Sequence, residues 1–443
     1  MRDLHRDESG VTEPVRTVAI VDWNWSGHHP ANFTLYASAL AQLGVRVLPF
    51  CAQPGDLPGL LSASPIGQSE AALARIEPAQ LIEFPYHKLR FQLGRLRPFQ
   101  QAILLFGSLG NRLRAWERVS GVHIDLVFFA CIYDAHFERL RYAERFFRFP
   151  WSGLYLHARS FRMPGSPIPF FGGLPCPEKI FTLKSLRSVA VLDEQAVTPL
   201  RRLTGGKLVV AFPDPTEVQL PAKSDPAWGL ANKMLEFARG RPVVSLVGHL
   251  QRTKGLEEFT RAAQDESLRG MVFFLAGEVS WNEIGPESRV AMLSAWEQLP
   301  NVFTHLQRVT DERALNAAMA SSDIIFAAYT DFPNSSGILS KAAVFERPVI
   351  VSDGYLMAER TRTYQLGEVV KERDVEAIKA ALRRLGGLDP AAGLFRGGLW
   401  KEYRAAHSYE RLVGAFAELL RIPADAAPSR GKTLLAAQPQ VNG

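Results

Sequence analysis

Between Ile324 and Ser352 a strand, a glycine-containing turn, a helix and a second strand follow one another without a gap. That succession constrains the architecture more than any other feature of the chain. Ile324–Ala328 and Pro348–Ser352 are short apolar runs bounded by turn residues, which read as buried strands. Between them Ile338, Leu339, Ala342, Ala343 and Phe345 recur at helical spacing after Pro333, Asn334, Ser335, Ser336 and Gly337, so a helix begins at a serine cap. Strands joined through a helix lie parallel, and parallel sheets are covered by helices on both faces. The turn leaves backbone N–H groups unpaired at the positive end of the helix, an arrangement that binds phosphate. A plain βαβ connection with an ordinary cap has the same pattern, so the companions of this turn decide.

The alternation runs through both halves. In the first, strands are predicted over Arg16–Asp22, Val45–Phe50, Asp125–Ala130, Gly153–Leu156, Ser188–Leu192 and Leu208–Phe212, with a helix from about Asn32 to Leu43. Pro213-Asp214-Pro215 ends that half. The second half restarts with strands Val243–Val247, Val272–Ala276 and Val302–His305 and helices over Glu287–Leu299 and after Thr310, followed by helices over Asp374–Leu385 and His407–Ile422. A chain of 443 residues exceeds one ordinary core. The fold class expected is therefore α/β, with two Rossmann-like doubly wound parallel sheets facing one another across a cleft. The boundaries predicted are a disordered N-terminus at 1–14, a first domain at 15–220, a second at 221–395, C-terminal helices at 396–422 packing back towards the first domain, and a disordered tail at 423–443.

Composition narrows the function. The charged start MRDLHRDESG has no apolar segment behind it, and no apolar run approaches the ~18 residues of a membrane span, so a cytoplasmic protein is expected. Cys51, Cys131 and Cys176 are few and far apart, which suits reduced thiols rather than a disulfide framework or a zinc site. A net charge of +6 points to an anionic partner. Nucleic acid is disfavoured, because no stacking aromatics stand at a recognised spacing. No Asp-x-Asp pair and no His/Cys cluster of metal spacing occurs, so no metal and no cofactor is expected.

Directly after Val243–Val247 comes GHLQRTKG, in which Gly248 and Gly255 give a tight backbone and Arg252 and Lys254 two cations. With the helix start at Ser336, also at the carboxyl end of a strand, this makes a grip for a diphosphate. At residues 240–385 the sequence resembles the donor domain of GT-B glycosyltransferases, in particular the retaining family 4 group, whose pattern after the first strand is G-R-L-x-x-x-K-G. The resemblance puts Lys254 at the family lysine and His249 where the arginine is expected, with Arg252 supplying that cation from elsewhere in the loop. FPNSSGILSKAAVFERPVIVSDG resembles the family's donor-binding helix and following strand. The two family glutamates, one near the sugar and one on the ribose, fall at Pro333 and Lys341 and are absent. In their place the resemblance implies a divergent form in which Ser335, Ser336, Gly337 and Ile338 bind the diphosphate. It implies a nucleotide diphosphate sugar as donor, a glycan or lipid-linked acceptor, retention at the anomeric carbon, and Lys254, Arg252 and His28 as the catalytic set.

The first half matches only in architecture. There Gly27, His28 and His29 follow the first strand, where the superfamily has a glycine-rich loop between donor and acceptor, and His157 ends a strand pointing the same way. All four are acceptor-side candidates, and each histidine also has a structural reading as a loop closure. Asp22 at the strand end is a weaker candidate. Residues 86–119 alternate arginines and lysines with apolar residues. They form either a solvated helical face or a surface that presses on anionic lipid at the inner face of the plasma membrane, with Phe91, Phe99 and Phe106 in the interface. Two rivals stand beside the transferase: a catalytically degenerate GT-B module that binds nucleotide sugar or glycan, and a GT-B sugar-nucleotide epimerase.

Overall fold

The computed structural model describes residues 15–64, 70–83, 97–132, 140–156, 177–216, 218, 220–387, 395 and 397–422. His157, Cys176, Phe91 and nearly all of the Pro/Gly-rich loop at 159–177 lie outside them, as do both predicted disordered termini. The described residues divide into two compact units: those up to Pro213 together with those from Tyr409 onward make one, and those of Asp214–Ser408 the other.

In the first unit, β1 (Thr17–Asp22), β2 (Arg46–Cys51), β3 (Gln80–Leu81), β4 (Leu126–Ile132), β5 (Trp151–Tyr155), β6 (Leu186–Val191) and β7 (Leu208–Ala211) form one sheet in the order β3-β2-β1-β4-β5-β6-β7. Every pairing is parallel. Successive residues of a strand face opposite ways, and β4 shows the consequence. Phe129 stacks on Trp23 and meets Phe106, Phe147 and Trp151 on one face, while Phe128 meets Tyr36, Phe212 and Phe416 on the other. Phe416 belongs to the helix Tyr409–Leu420, and Ser188 Oγ on β6 donates to Leu419 O of that helix at 3.2 Å. The helix Trp400–Ala406, by contrast, packs on Gly337–Val344 in the second unit.

The basic stretch is helical over Arg97–Ala102 and Ser108–Ser120 with a π-helical segment, Ile103–Gly107, between them. One expectation fails here. Phe106 is fully buried against Trp23, Phe129 and Phe147, because the wider turn rotates it onto the sheet, so it is no part of a lipid-facing surface. Phe99 remains 44% exposed. The first helix, His29–Gln42, starts ahead of the predicted Asn32 because Pro30 occupies its opening turn, where no N–H is needed.

In the second unit β8 (Val243–Val247), β9 (Val272–Ala276), β10 (Val302–His305), β11 (Ile324–Ala327), β12 (Val349–Ser352) and β13 (Gly367–Val370) run in the order β10-β9-β8-β11-β12-β13, again all parallel. In both sheets the order reverses once, between β1 and β4 and between β8 and β11. Ligands of doubly wound sheets bind beyond the carboxyl ends of the strands at that reversal. The loops after β8 and β11 therefore flank the crevice of the second unit, and these are GHLQRTKG and the serine turn.

Candidate functional site

The two loops are built against each other through backbone. Gly248 sits at φ +101° and Gly255 at φ +74°, a region that glycine enters at no steric cost. A Cβ on Gly255 would lie 2.6 Å from Ala328 O, and one on Gly277 would lie 1.8 Å from Gly248 O. Thr330 N–H donates to Thr253 O at 2.8 Å, which joins the β8 loop to the residues after β11. Arg252–Lys254 forms a single 3-10 turn.

Lys254 emerges from this turn, half-buried, with its Nζ 3.8 Å from the Tyr329 ring centroid and 5.3 Å from that of Phe332. Among the described residues it meets no carboxylate, so its charge is met only by aromatic faces. Arg252 is exposed and likewise meets no carboxylate among the described residues. His249 is committed elsewhere, its Nε2 lying 2.8 Å from Ser280 Oγ. Tyr329 is 2% exposed, and its hydroxyl has no hydrogen-bond partner among the described residues.

The serine turn enters the helix Gly337–Val344 as the sequence predicts. Ser336 is its cap, and its Oγ accepts from Ile338 N at 3.4 Å. Gly337 is exposed, and a Cβ there would meet nothing within 4 Å. Among the described residues no acceptor meets the N–H groups of Ser336 and Gly337, two donors at the positive helix end. The Ser335 hydroxyl is occupied: it donates to Asp214 Oδ2 and accepts from Arg360 Nη1 at 2.8 Å. Its one hydroxyl proton is thus already given to Asp214.

Lys341, at the position of a family glutamate, is 5% exposed and donates to Glu312 Oε1 and to Asn316 Oδ1, the latter at 2.6 Å. It ties its helix to Glu312–Ala320.

In the first unit, Gly27 (φ +59°) and His28 are exposed after β1, and His28 caps the helix His29–Gln42 with its ring stacked 5.0 Å from that of His29. His29 is buried, its Nδ1 2.7 Å from Asp22 Oδ2, and Asp22 is 3% exposed. The structure thus joins two residues that the sequence left separate. Sequence reasoning missed Asp214, Arg360 and Tyr329. Asp214 reads as the end of a strand, and nothing in LMAERTRTY marks Arg360 as buried. Among the described residues no group of three or more His, Cys, Asp or Glu could hold a metal ion.

No family model and no curated protein matches the chain by sequence. By structure it is similar to sucrose-phosphate synthase from Thermosynechococcus elongatus, at TM-score 0.63 and 18% identity over 92% of this chain and 98% of that one. It is similar also to HepE from Anabaena in complex with UDP and glucose, at TM-score 0.60 and 13% identity over 92% and 99%. A third similar structure is WaaG, a glycosyltransferase involved in lipopolysaccharide biosynthesis, at TM-score 0.56 and 15% identity over 94% and 100%. The chain has the GT-B fold, two Rossmann-like parallel-sheet units with helices on their faces.

Proposed function

We propose that this GT-B chain is a glycosyltransferase that moves a sugar from a nucleotide diphosphate sugar to a hydroxyl of a glycan or lipid-linked acceptor, with retention. The observation that carries the reading is Lys254, a cation over the Tyr329 and Phe332 rings at the β8/β11 reversal that among the described residues meets no carboxylate, next to a turn whose Ser336 and Gly337 N–H groups meet no acceptor among the same residues. An anion completes both. HepE, bound to UDP-glucose in another of its structures, supports a nucleotide sugar as that anion.

In the reaction the bond from the anomeric carbon to the diphosphate oxygen breaks. The acceptor oxygen bonds that carbon, the diphosphate leaves with the electron pair, and the acceptor's proton passes to the leaving diphosphate oxygen. Lys254, Arg252 and the helix start stabilise the charge that develops on the leaving oxygen. Gly27 and His28, exposed after β1, are the acceptor contacts of this reading, and the buried His29, its Nδ1 2.7 Å from Asp22 Oδ2, backs that loop.

Thermal unfolding with a panel of UDP-, GDP-, ADP- and dTDP-sugars tests this. A ligand at ~100 times its dissociation constant adds about 2.7 kcal/mol, a melting shift of roughly 5–11 °C for a unit of this size. One sugar nucleotide should stand out, and Lys254→Ala should abolish its shift. A flat panel refutes the donor site.

A second reading, the degenerate module, is favoured by Lys341, which replaces a carboxylate and is saturated by Glu312 and Asn316. It predicts donor binding without turnover.

In the transferase reading an acceptor-bearing membrane lies against Ser108–Ser120 and its neighbours. A recess of about 470 Å³ there is lined by Ile103, Leu104, Arg114, Arg145, Phe146 and Arg148 among others, with no carboxylate in its wall. Phe146 in its wall is 44% exposed, as is Phe99 on the helix Arg97–Ala102. Such a basic and apolar surface suits anionic headgroups. Among the described residues no helix is long and apolar enough to cross a membrane.

A further inference from the structure

Behind the serine turn lies a buried polar cluster to which the proposed reaction assigns no role. Arg360, 3% exposed, projects from the helix Leu356–Tyr364. Its Nη1 donates to Ser335 Oγ at 2.8 Å and lies 3.5 Å from Asp214 Oδ2, the oxygen that also accepts the Ser335 hydroxyl proton. Asp214 is fixed along its backbone as well. Its N–H donates to His407 Nδ1 at 3.1 Å, and its carbonyl accepts from Ser340 Oγ at 3.3 Å, which lies 3.0 Å from Tyr403 Oη. Burial, helped by the Arg360 charge, pushes His407 down to about 3, so its ring is neutral and accepts the Asp214 N–H at neutral pH.

Two consequences follow from this arrangement. First, Ser335 is gripped from one side by a carboxylate and from the other by a guanidinium, which fixes the backbone that leads into the Ser336 and Gly337 N–H groups. Second, the Asp214 carboxylate, with 21% of its side chain exposed, is bonded to the very turn that would receive an anion. Alone it would repel a diphosphate; Arg360 cancels its charge from the protein side. Resting on the donor reading above, we propose that Arg360 is a positioning residue for the donor diphosphate. It acts through Ser335 and Asp214 without touching the ligand.

The test is calorimetric titration of the full-length protein with UDP, GDP, ADP and dTDP, together with donor KM and kcat for the sugar nucleotide that binds. Arg360→Met should weaken the nucleoside diphosphate by about tenfold or more, a change of about 1.4 kcal/mol per decade, and raise donor KM more than it lowers kcat. Adding Asp214→Asn to that variant should restore affinity to within about threefold of the unmodified protein, because the uncompensated charge is then gone. Arg360→Lys, which keeps the charge, should hold most of the affinity.

An Arg360→Met protein that is folded and binds normally overturns the proposal, as does failure of Asp214→Asn to restore binding. If Arg360→Met does not fold, Ser335→Ala provides the measure, since it removes one part-buried hydroxyl. Unchanged affinity in that variant overturns the proposal, and a loss of about three- to tenfold supports it. If the unmodified protein binds none of the four nucleotides, the donor site itself is refuted and this inference falls with it. Binding that survives in the variants refutes this inference alone.

Discussion

Replacing Gly337 by alanine separates the stability of the helix start from its proposed use. Gly337 opens the helix Gly337–Val344, its φ lies outside the left-handed region, and a Cβ there meets nothing within 4 Å. A glycine whose conformation alanine adopts without strain becomes more stable by about 0.4–1 kcal/mol on substitution, chiefly through the unfolded chain. For a unit of this size that is a rise in melting temperature of about 1–4 °C. The new methyl does not point at random. Each Cα–Cβ bond of a helix tilts towards the N-terminus, so the methyl enters the space in which an anion would meet the Ser336 and Gly337 N–H groups. Losing one hydrogen bond to a charged group costs about 1.5–3 kcal/mol, which is about 10- to 100-fold in affinity. Differential scanning fluorimetry without ligand and titration with the best nucleotide of the panel should therefore move in opposite directions, with higher melting temperature and weaker binding. A stabilised variant with undiminished affinity would show that the anion binds elsewhere. A variant that melts lower would show that the turn does not hold the helical start described above.

Gly255→Ala should cost well over the roughly 1–2 kcal/mol of a left-handed residue, because its Cβ would also press on Ala328 O at 2.6 Å. Gly248→Ala, left-handed but with open space around its Cβ, should cost only the former, and equal melting temperatures for the two variants would contradict the backbone contact. His407 has its folded pKa depressed to about 3 from an ordinary 6.5. The unfolded chain thus takes up the extra proton, and stability present above about pH 6.5 is lost as pH falls towards 3, at up to about 1.4 kcal/mol per unit. Chemical denaturation between pH 7 and 5 should show that slope, and His407→Asn should flatten it; identical slopes would rule the group out. Vesicles with anionic lipid should retain the protein in flotation, and neutralising Arg112, Arg118 and Arg145 by glutamine should release it, at about 1 kcal/mol per arginine. Unaltered flotation of the triple variant would remove this surface from the account.

Much of the second unit is legible in the sequence, because fully buried parallel strands are uninterrupted apolar runs. Val243–Val247, Val272–Ala276 and Val302–His305 have the bounds their residues suggest. The serine cap is equally plain, since capping needs only a local pattern. What escaped was either weakly patterned or long-range. The helix Leu356–Tyr364 starts at Tyr355, which makes no side-chain cap, and carries Glu359, Arg360 and Arg362, so neither cap nor apolar stripe announces it. Arg360 and Asp214 meet only because the fold brings the residues after β7 under the turn after β11, and no local spacing reports such a pair. Phe106 misleads for a different reason. Its neighbours alternate with arginines as an amphipathic face would, but the π-helical segment shifts the phase and turns it inward.

The helix Tyr409–Leu420 has a consequence for how the chain is made. Phe416 fills the first unit between Phe128 and Phe212, at 5.1 and 4.8 Å, and burial of one such ring is worth about 1.5–3 kcal/mol. During synthesis, however, it leaves the ribosome after all of Asp214–Ser408. The unit begun first is therefore completed last: one face of its sheet emerges covered by the helix His29–Gln42 but without Phe416 and its helix, while the later unit already has every strand and helix it needs. Nascent chains that end before Tyr409 should accordingly hold a finished second unit tethered to a first one whose core still lacks Phe416.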